Sequence, residues 1–447
     1  MSEYEQTEIC TIVKRKDSFM NIHTIQKRIR EEGLLKSARY YFNRILSKLS
    51  MHLVGRAAAR FGEANPHRIV FKNREMQDFT DNPRALFEYL TENGYNETYQ
   101  LIYMVSDKRK FKHCRQKNVK FVTAQSEGGL SSPAAFYYGA TAKYFFFSHN
   151  SADLNRFHRK GQITVNLWHG CGYKGASLDN PNIPHSKTMA AFDYALVPGE
   201  LFAASKSEGF GWPREKILCM GYPRYDWLLA KKPDRTEILS RLGLLPLHAK
   251  KIVIWMPTFR KSVLTGYGEN EIELPYQLPA LRSEQDLQEL DRECKKRGIL
   301  LLIKKHPLQI GWETDINLRQ IRYITDEQIS ASGLVLYQLL RVCDALISDY
   351  SSVAVDYLLL NRPMAFVLTD YEMYKAARGF VFENPLAYMP GEKIYNFAQL
   401  KEFLAHVEQE IDPFAGSRQE LLPQMHNRTQ NYCRRLLEFL EIKKEMQ

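Results

Sequence analysis

The hydrophobic rhythm of the chain changes once, near residue 66. Before that point Leu35, Ala38, Tyr41, Phe42, Ile45, Leu46, Leu49 and Leu53 recur at three- and four-residue spacing, which predicts a helix with one apolar stripe. Gly33 predicts a break between this helix and a shorter one starting near Ile22. Beyond residue 66, short apolar runs alternate with helical stretches: RIVFKN, QLIYMVS, VKFVTA, AKYFFFSH, QITVNLWHG, YALVPG and ILCMGYP. After residue 250 the same alternation returns as KIVIWMPT, ILLLIKKHP, IRYIT, DALISDYSS and PMAFVLT. Strands alternating with helices predict parallel sheets covered on both faces. The stretch Lys231 to Lys250, with Pro233 and Pro246 and no strand pattern, predicts the join between two such units. The expected architecture is therefore α/β: a helical segment at 1–65 and two doubly wound parallel-sheet domains, at 66–240 and 241–447. Such sheets bind ligands beyond the carboxyl ends of their strands, so two of them facing each other make a cleft. A final helical stretch from Arg418 to Lys444 is placed to cross back over the first domain.

Composition narrows the function. With 44% hydrophobic and 25% charged residues in 447, the chain reads as folded throughout and too long for a single small binding module. It contains no apolar run of membrane-spanning length, and its acidic opening, MSEYEQTE, predicts no secretory signal, so a cytoplasmic protein is expected. Seven scattered cysteines without a C-x-x-C pair fit reduced thiols. The net charge of +11 is concentrated: between Ile12 and Arg60, twelve Lys and Arg face only Asp17, Glu31 and Glu32. Lys36, Arg39, Arg44 and Lys48 flank the apolar stripe, the pattern of a helix resting in an anionic membrane surface, where each cation adds about 1 kcal/mol. The competing reading is a helix packed on its own protein with a solvated basic face. A nucleic-acid-binding role is disfavoured, since the cations accompany an aliphatic stripe without an aromatic stacking platform.

Polar clusters fall where strands are expected to end. His169 and Gly170 follow one strand, Arg224 and Asp226 another, and Thr258 and Arg260 a third; Lys304, Lys305 and His306 follow a fourth. Ser348, Asp349, Ser351, Ser352 and Asp356 surround a strand-to-helix turn. A helix starting near Ser352 would present N–H groups to an anion, and Arg260, Lys305 and His306 could close round a pyrophosphate. Taken singly, these residues also read as a helix cap and structural ion pairs. His169 lies on the other domain, placed to take a proton from an attacking hydroxyl, while His306 could serve the departing phosphate. Asp226 is expected to pair with Arg224 and brace the domain junction, and Asp356 to accept ligand hydroxyls. There is no Walker sequence, short-range histidine pair or D-x-D, so neither a metal nor a cofactor is expected.

WHG at 168–170, GYPRYD at 221–226, MPTFR at 256–260, KHP at 305–307, SDYSSVAVDY at 348–357 and RGFVFENPLAYMPGE at 378–392 together resemble the CDP-glycerol glycerophosphotransferase family. The resemblance spans roughly residues 135–430 and departs from the family's acidic pattern at Phe382–Pro385. It implies a two-domain GT-B-like fold, a CDP-glycerol or CDP-ribitol donor, and a polyprenyl-diphosphate-linked acceptor or growing polymer. The enzyme would sit peripherally on the inner face of the cell membrane and serve teichoic-acid-like or capsular polymer synthesis. His169 then resembles the catalytic base; Arg260, His306, Ser351, Ser352 and Asp356 match donor-binding motifs, in which Thr258, Lys305, Ser348 and Asp349 also lie. The alternatives are a ribitolphosphotransferase and a GT-B glycosyltransferase using a nucleotide sugar.

Overall fold

The computed structural model describes residues 22–73, 79–125, 129–149, 154, 156–175, 192–231, 235–245, 249–258, 276, 278–304 and 316–444. Every apolar run named above is a strand. The first sheet comprises β1 (Asn65–Lys72), β2 (Gln100–Val105), β3 (Val119–Thr123), β4 (Ala142–Phe147), β5 (Ile163–Asn166), β6 (Tyr194–Val197) and β7 (Ile217–Cys219). All its pairings are parallel, in the order β3-β2-β1-β4-β5-β6-β7. The second comprises β8 (Lys251–Trp255), β9 (Ile299–Lys304), β10 (Ile321–Ile324), β11 (Ala345–Ser348), β12 (Met364–Val367) and β13 (Glu392–Ile394), in the order β10-β9-β8-β11-β12-β13. Only β13, three residues long and poor in apolar side chains, was not foreshadowed by the hydrophobic pattern. Both sheets reverse direction of growth beside their first strand, between β1 and β4 and between β8 and β11. In sheets of this kind such a reversal is where ligands bind.

Consecutive residues such as Ile69, Val70 and Phe71, or Leu301 and Leu302, are fully buried because helices cover both faces of these sheets. One apolar core continues from the first sheet through Trp168, Tyr222 and Tyr225 into Tyr337, Tyr350 and Val353 of the second domain. The other face of the second sheet packs separately around Trp255, Leu301, Ile303 and Phe403. The expected join contains a helix, Arg235–Arg241, that buries Ile238 and Leu239 and whose Arg235 donates to Asp344 at 2.7 Å.

The amino-terminal segment forms helices Ile22–Glu32 and Leu34–Ser50, separated at Gly33 with φ 86°, and continues through a π-helical turn at Met51–Gly55. Helix Leu34–Ser50 turns Ser37 and Ser47 inward; the Ser47 hydroxyl donates to Gly129 O at 3.3 Å and accepts from Ser131 N at 2.7 Å. Its apolar stripe faces outward, with Leu35 86% exposed, Phe42 60%, Ile45 57% and Leu53 72%. Among the described residues no helix is long and apolar enough to cross a membrane.

At the other end of the chain the expected single helix is two, Ala415–Met425 and Tyr432–Phe439. Between them the backbone bonds to Pro198 O through Asn427 N at 3.1 Å, and Asn431 takes a left-handed φ of 57°. The second helix packs on the first domain, where Tyr99 and Tyr144 donate to Lys443 O and Leu440 O at 3.0 and 3.2 Å. Asp226 caps it, accepting from Tyr432 N at 2.9 Å and Cys433 N at 2.8 Å, a favourable place for a carboxylate. The anticipated Asp226–Arg224 pair is therefore replaced: Arg224 pairs with Asp81 and Asp356.

Candidate active site

On the first-domain side the site is made by the segments leaving β1, β4 and β5. After β5, the Asn166 side chain accepts from Trp168 N at 3.0 Å, a local turn that lets Trp168 adopt φ 52°. Left-handed backbone recurs around it, at Asp81 (φ 58°), His149 (φ 71°) and Gly170 (φ 133°). Such strained residues persist only where surrounding contacts over-determine them. Here Asn82, wholly buried, donates to Leu167 O at 3.1 Å and Trp168 O at 3.0 Å, and accepts from Arg224 N at 3.2 Å.

Arg224 occupies the centre. Its Nη1 donates to Asp81 at 2.7 Å and His169 O at 3.0 Å, and its Nη2 to Asp356 at 2.7 Å. Asp356 also accepts from the Tyr225 and Tyr337 hydroxyls. Burial opposes the Arg224 charge, yet Asp356 and Asp81 outweigh it and hold the guanidinium well above its ordinary pKa. Burial pushes the Asp81 carboxyl up, against the pull of Arg224. A cation between two carboxylates and two phenols is the arrangement a buried charge requires. Asp356, expected to meet a ligand, is fully buried and engaged by these protein donors.

The His169 ring is half-buried and lies 4.2 Å from the Trp168 ring and 5.1 Å from that of His149. Lys206 borders the same aromatic group, its ammonium 4.6 Å from the Trp168 ring centre and 4.1 Å from that of Phe210. Burial lowers the Lys206 pKa. Cys171, next in the loop, is no nucleophile: burial raises its thiol pKa, and its sulfur lies 3.2 Å from the Tyr222 hydroxyl.

The second-domain side is built from the segments leaving β8 and β11. Asp349 accepts from Thr258 N at 2.8 Å and from Thr258 Oγ1 at 2.6 Å, and the Ser348 hydroxyl donates to Met256 O at 3.1 Å. Thr258, Ser348 and Asp349 are all buried, so they strap the two strand ends together beneath the cleft. Ser351 and Ser352 are half-buried, and Ser352 precedes the short helix Val353–Tyr357 without capping it through its side chain. Arg260, Lys305 and His306 lie outside the described residues; Lys304 is buried and pairs with Asp326 at 2.7 Å.

The two sides touch. A Cβ at Gly170 would lie 2.8 Å from Ser352 Oγ, and one at Gly172 would lie 2.8 Å from Ser352 Cα. Glycine at both positions lets the His169 loop of one domain lie against the serine turn of the other. Just beyond, Val381 N donates to Tyr173 O at 2.9 Å and Gly175 N to Gly379 O at 3.1 Å, so the backbone itself crosses between domains. The Phe382 ring lies 4.4 Å from that of Tyr388, tilted by 32°.

Sequence reasoning passed over Asp81, Asn82, Lys206 and His426. The His426 imidazole is buried with Nε2 2.9 Å from Val355 O, inside the helix that follows the serines, and burial lowers its pKa. The signal for the first two, DNP after a strand, reads locally as nothing more than a helix start. Among the described residues no group of three His, Cys, Asp or Glu side chains is placed to hold a metal.

Two parallel sheets that share the order of their first six strands, facing each other across a cleft at the carboxyl ends of their strands, define a GT-B-like α/β fold. A solved structure of the wall teichoic acid polymerase TagF superposes with a TM-score of 0.67 over 91% of this chain and 96% of that one, at 21% identity, a likeness of fold. The profile of the CDP-Glycerol:Poly(glycerophosphate) glycerophosphotransferase family matches residues 56–432, and the chain belongs to that family of transferases. It is 28% identical over 375 residues to the teichoic acid glycerol-phosphate transferase of Staphylococcus aureus, covering 79% of this chain and 87% of that protein. It is 29% identical over 400 residues to the teichoic acid poly(ribitol-phosphate) polymerase of Bacillus spizizenii, covering 84% of this chain and 59% of the relative.

Proposed function

We propose that the protein transfers a polyol phosphate, foremost glycerol phosphate, from a CDP-polyol to a hydroxyl of a lipid-linked acceptor, releasing CMP, in teichoic-acid-like or capsular polymer synthesis. The observation that carries this reading is the contact of Gly170 and Gly172 with Ser352, which sets the His169 loop against the turn suited to the donor's pyrophosphate. His169 takes the proton of the acceptor hydroxyl. The freed oxygen attacks the β-phosphorus, and the bond from that phosphorus to the oxygen bridging the two phosphates breaks. Arg260, Lys305 and His306 are the groups assigned to the charge that gathers on CMP. Attack is direct, with no covalent enzyme intermediate in this reading. The relatives act on both glycerol and ribitol phosphates by name, so the two donors are the first to compare.

The test is to incubate the purified chain with CDP-glycerol or CDP-ribitol and a polyprenyl-diphosphate-linked acceptor and follow the nucleotide released. CMP is expected, and His169→Ala should reduce its release by about a hundredfold or more while the fold is retained. UDP or GDP release from nucleotide sugars would instead assign a glycosyltransferase, and near-normal turnover by His169→Ala would remove the base assignment.

The outward stripe of helix Leu34–Ser50 supports peripheral association with the inner face of the cell membrane, because its Leu35, Phe42, Ile45 and Leu49 side chains are exposed while its serines pack inward. Replacing Leu35, Ile45 and Leu49 together by serine should abolish sedimentation with phosphatidylglycerol vesicles and leave CMP release to a soluble acceptor unchanged. Undiminished sedimentation of the triple variant rules out this surface.

A further inference from the structure

Of the buried polar groups around the cleft, Asn82 stands out, because nothing in the proposed chemistry uses it and yet its side chain is spent on one short loop. Its amide nitrogen donates to the carbonyls of Leu167 and Trp168, and the next carbonyl, that of His169, is held by Arg224 Nη1 at 3.0 Å. Asn82 also accepts from Arg224 N, so the two residues form one unit. Three successive carbonyls of the loop are thus gripped from below. The grip coincides with left-handed backbone at Trp168, which a free loop would relax.

The same unit reaches the other domain. Arg224 Nη2 meets Asp356, one turn into the helix that begins after Ser352, while Gly170 and Gly172 lie against Ser352 itself. A guanidinium is planar and its donors diverge at fixed angles. With one edge on His169 O and the other on Asp356, it sets the separation of the candidate base from the serine turn.

We propose that Asn82, acting with Arg224, is a positioning residue for the transfer: it holds the backbone on either side of Trp168 so that the His169 imidazole faces the donor's pyrophosphate. This rests on the reading of His169 as the base. Asn82 touches no substrate. Because it is fully buried, removing its amide takes from the Leu167 and Trp168 carbonyls and from Arg224 N the partner that fixes their direction. Displacement of a reacting group by about 1 Å costs on the order of a hundredfold in rate.

The experiment measures kcat and the donor KM for CMP release by the full chain, with Asn82→Ala and the nearly isosteric Asn82→Asp, which keeps the shape but sets a carboxylate oxygen against a carbonyl. Tyr99→Phe, which removes a hydrogen bond to Lys443 O far from the cleft, is the control for stability alone. The expected result is a fall of about tenfold to a hundredfold in kcat for the Asn82 variants, with donor KM within about threefold of wild type. Tyr99→Phe should keep wild-type kcat at a comparable loss of thermal midpoint. Wild-type kcat in either folded Asn82 variant, or a loss confined to KM, overturns the proposal. An enzyme that releases CMP and loses this with His169→Ala, but not with Asn82→Ala, refutes the positioning role alone; a wild-type enzyme that releases no CMP from either CDP-polyol refutes both readings.

Discussion

The two sides of the cleft share a sheet order and a position at strand ends, yet they are built oppositely. On the first-domain side, polar groups are consumed in shaping the backbone: Asn82 and Arg224 hold loop carbonyls, and several residues take left-handed conformations. On the second-domain side the backbone is ordinary, and a buried carboxylate, Asp349, straps Thr258 so that Ser351 and Ser352 remain half-buried at the cleft. The first side also depends on its partner, because the charge of Arg224 is balanced by Asp356 of the other domain. One side is therefore a junction whose geometry exists only when both domains are present, and the other is a shelf whose Thr258–Asp349 strap lies within its own domain.

That contrast can be broken first at Arg224. Arg224→Met should leave Asp81 and Asp356 buried without their cation and cost about 3–5 kcal/mol by urea denaturation. Asp349→Ala on the shelf should cost less, about 1–3 kcal/mol, because the Thr258 donors that lose their partner are uncharged. Equal losses would mean that Arg224 does not carry the junction. The smallest effect sharpens the picture at His426. Burial depresses its pKa below the ordinary 6.5, so the folded state resists protonation while the unfolded chain accepts it. The stability this contributes is complete above pH 6.5 and is lost as pH falls through the folded value. Denaturation midpoints from pH 8 down to pH 5 should therefore fall more steeply in wild type than in His426→Gln; parallel curves would contradict the assignment.

Much of this was legible in the chain. The apolar runs located twelve of the thirteen strands found among the described residues, and the motifs WHG and SDYSS fell at strand ends that the fold brings into contact. The stripe of helix Leu34–Ser50 was correctly delimited, but whether it would be buried or exposed was not readable, since that depended on Ser47 finding Ser131 across the fold. Asp226 and Arg224 invited pairing because they are neighbours in sequence. Instead Asp226 caps the helix at Tyr432, and Arg224 reaches residues 143 positions before it and 132 after it. Asp356 looked available as a short polar side chain one turn into a helix, and three buried donors engage it.

By itself the sequence determined the alternation of strands and helices, the two parallel sheets, and the strand ends at which the polar motifs stand, because burial on a strand or helix face is written with a period of a few residues. Tertiary structure alone decided which charges balance one another, which carboxylates remain for a ligand, and how the His169 loop is held. Those outcomes depend on the desolvation of groups more than a hundred residues apart, whose cost or gain arises only when the two domains close over them.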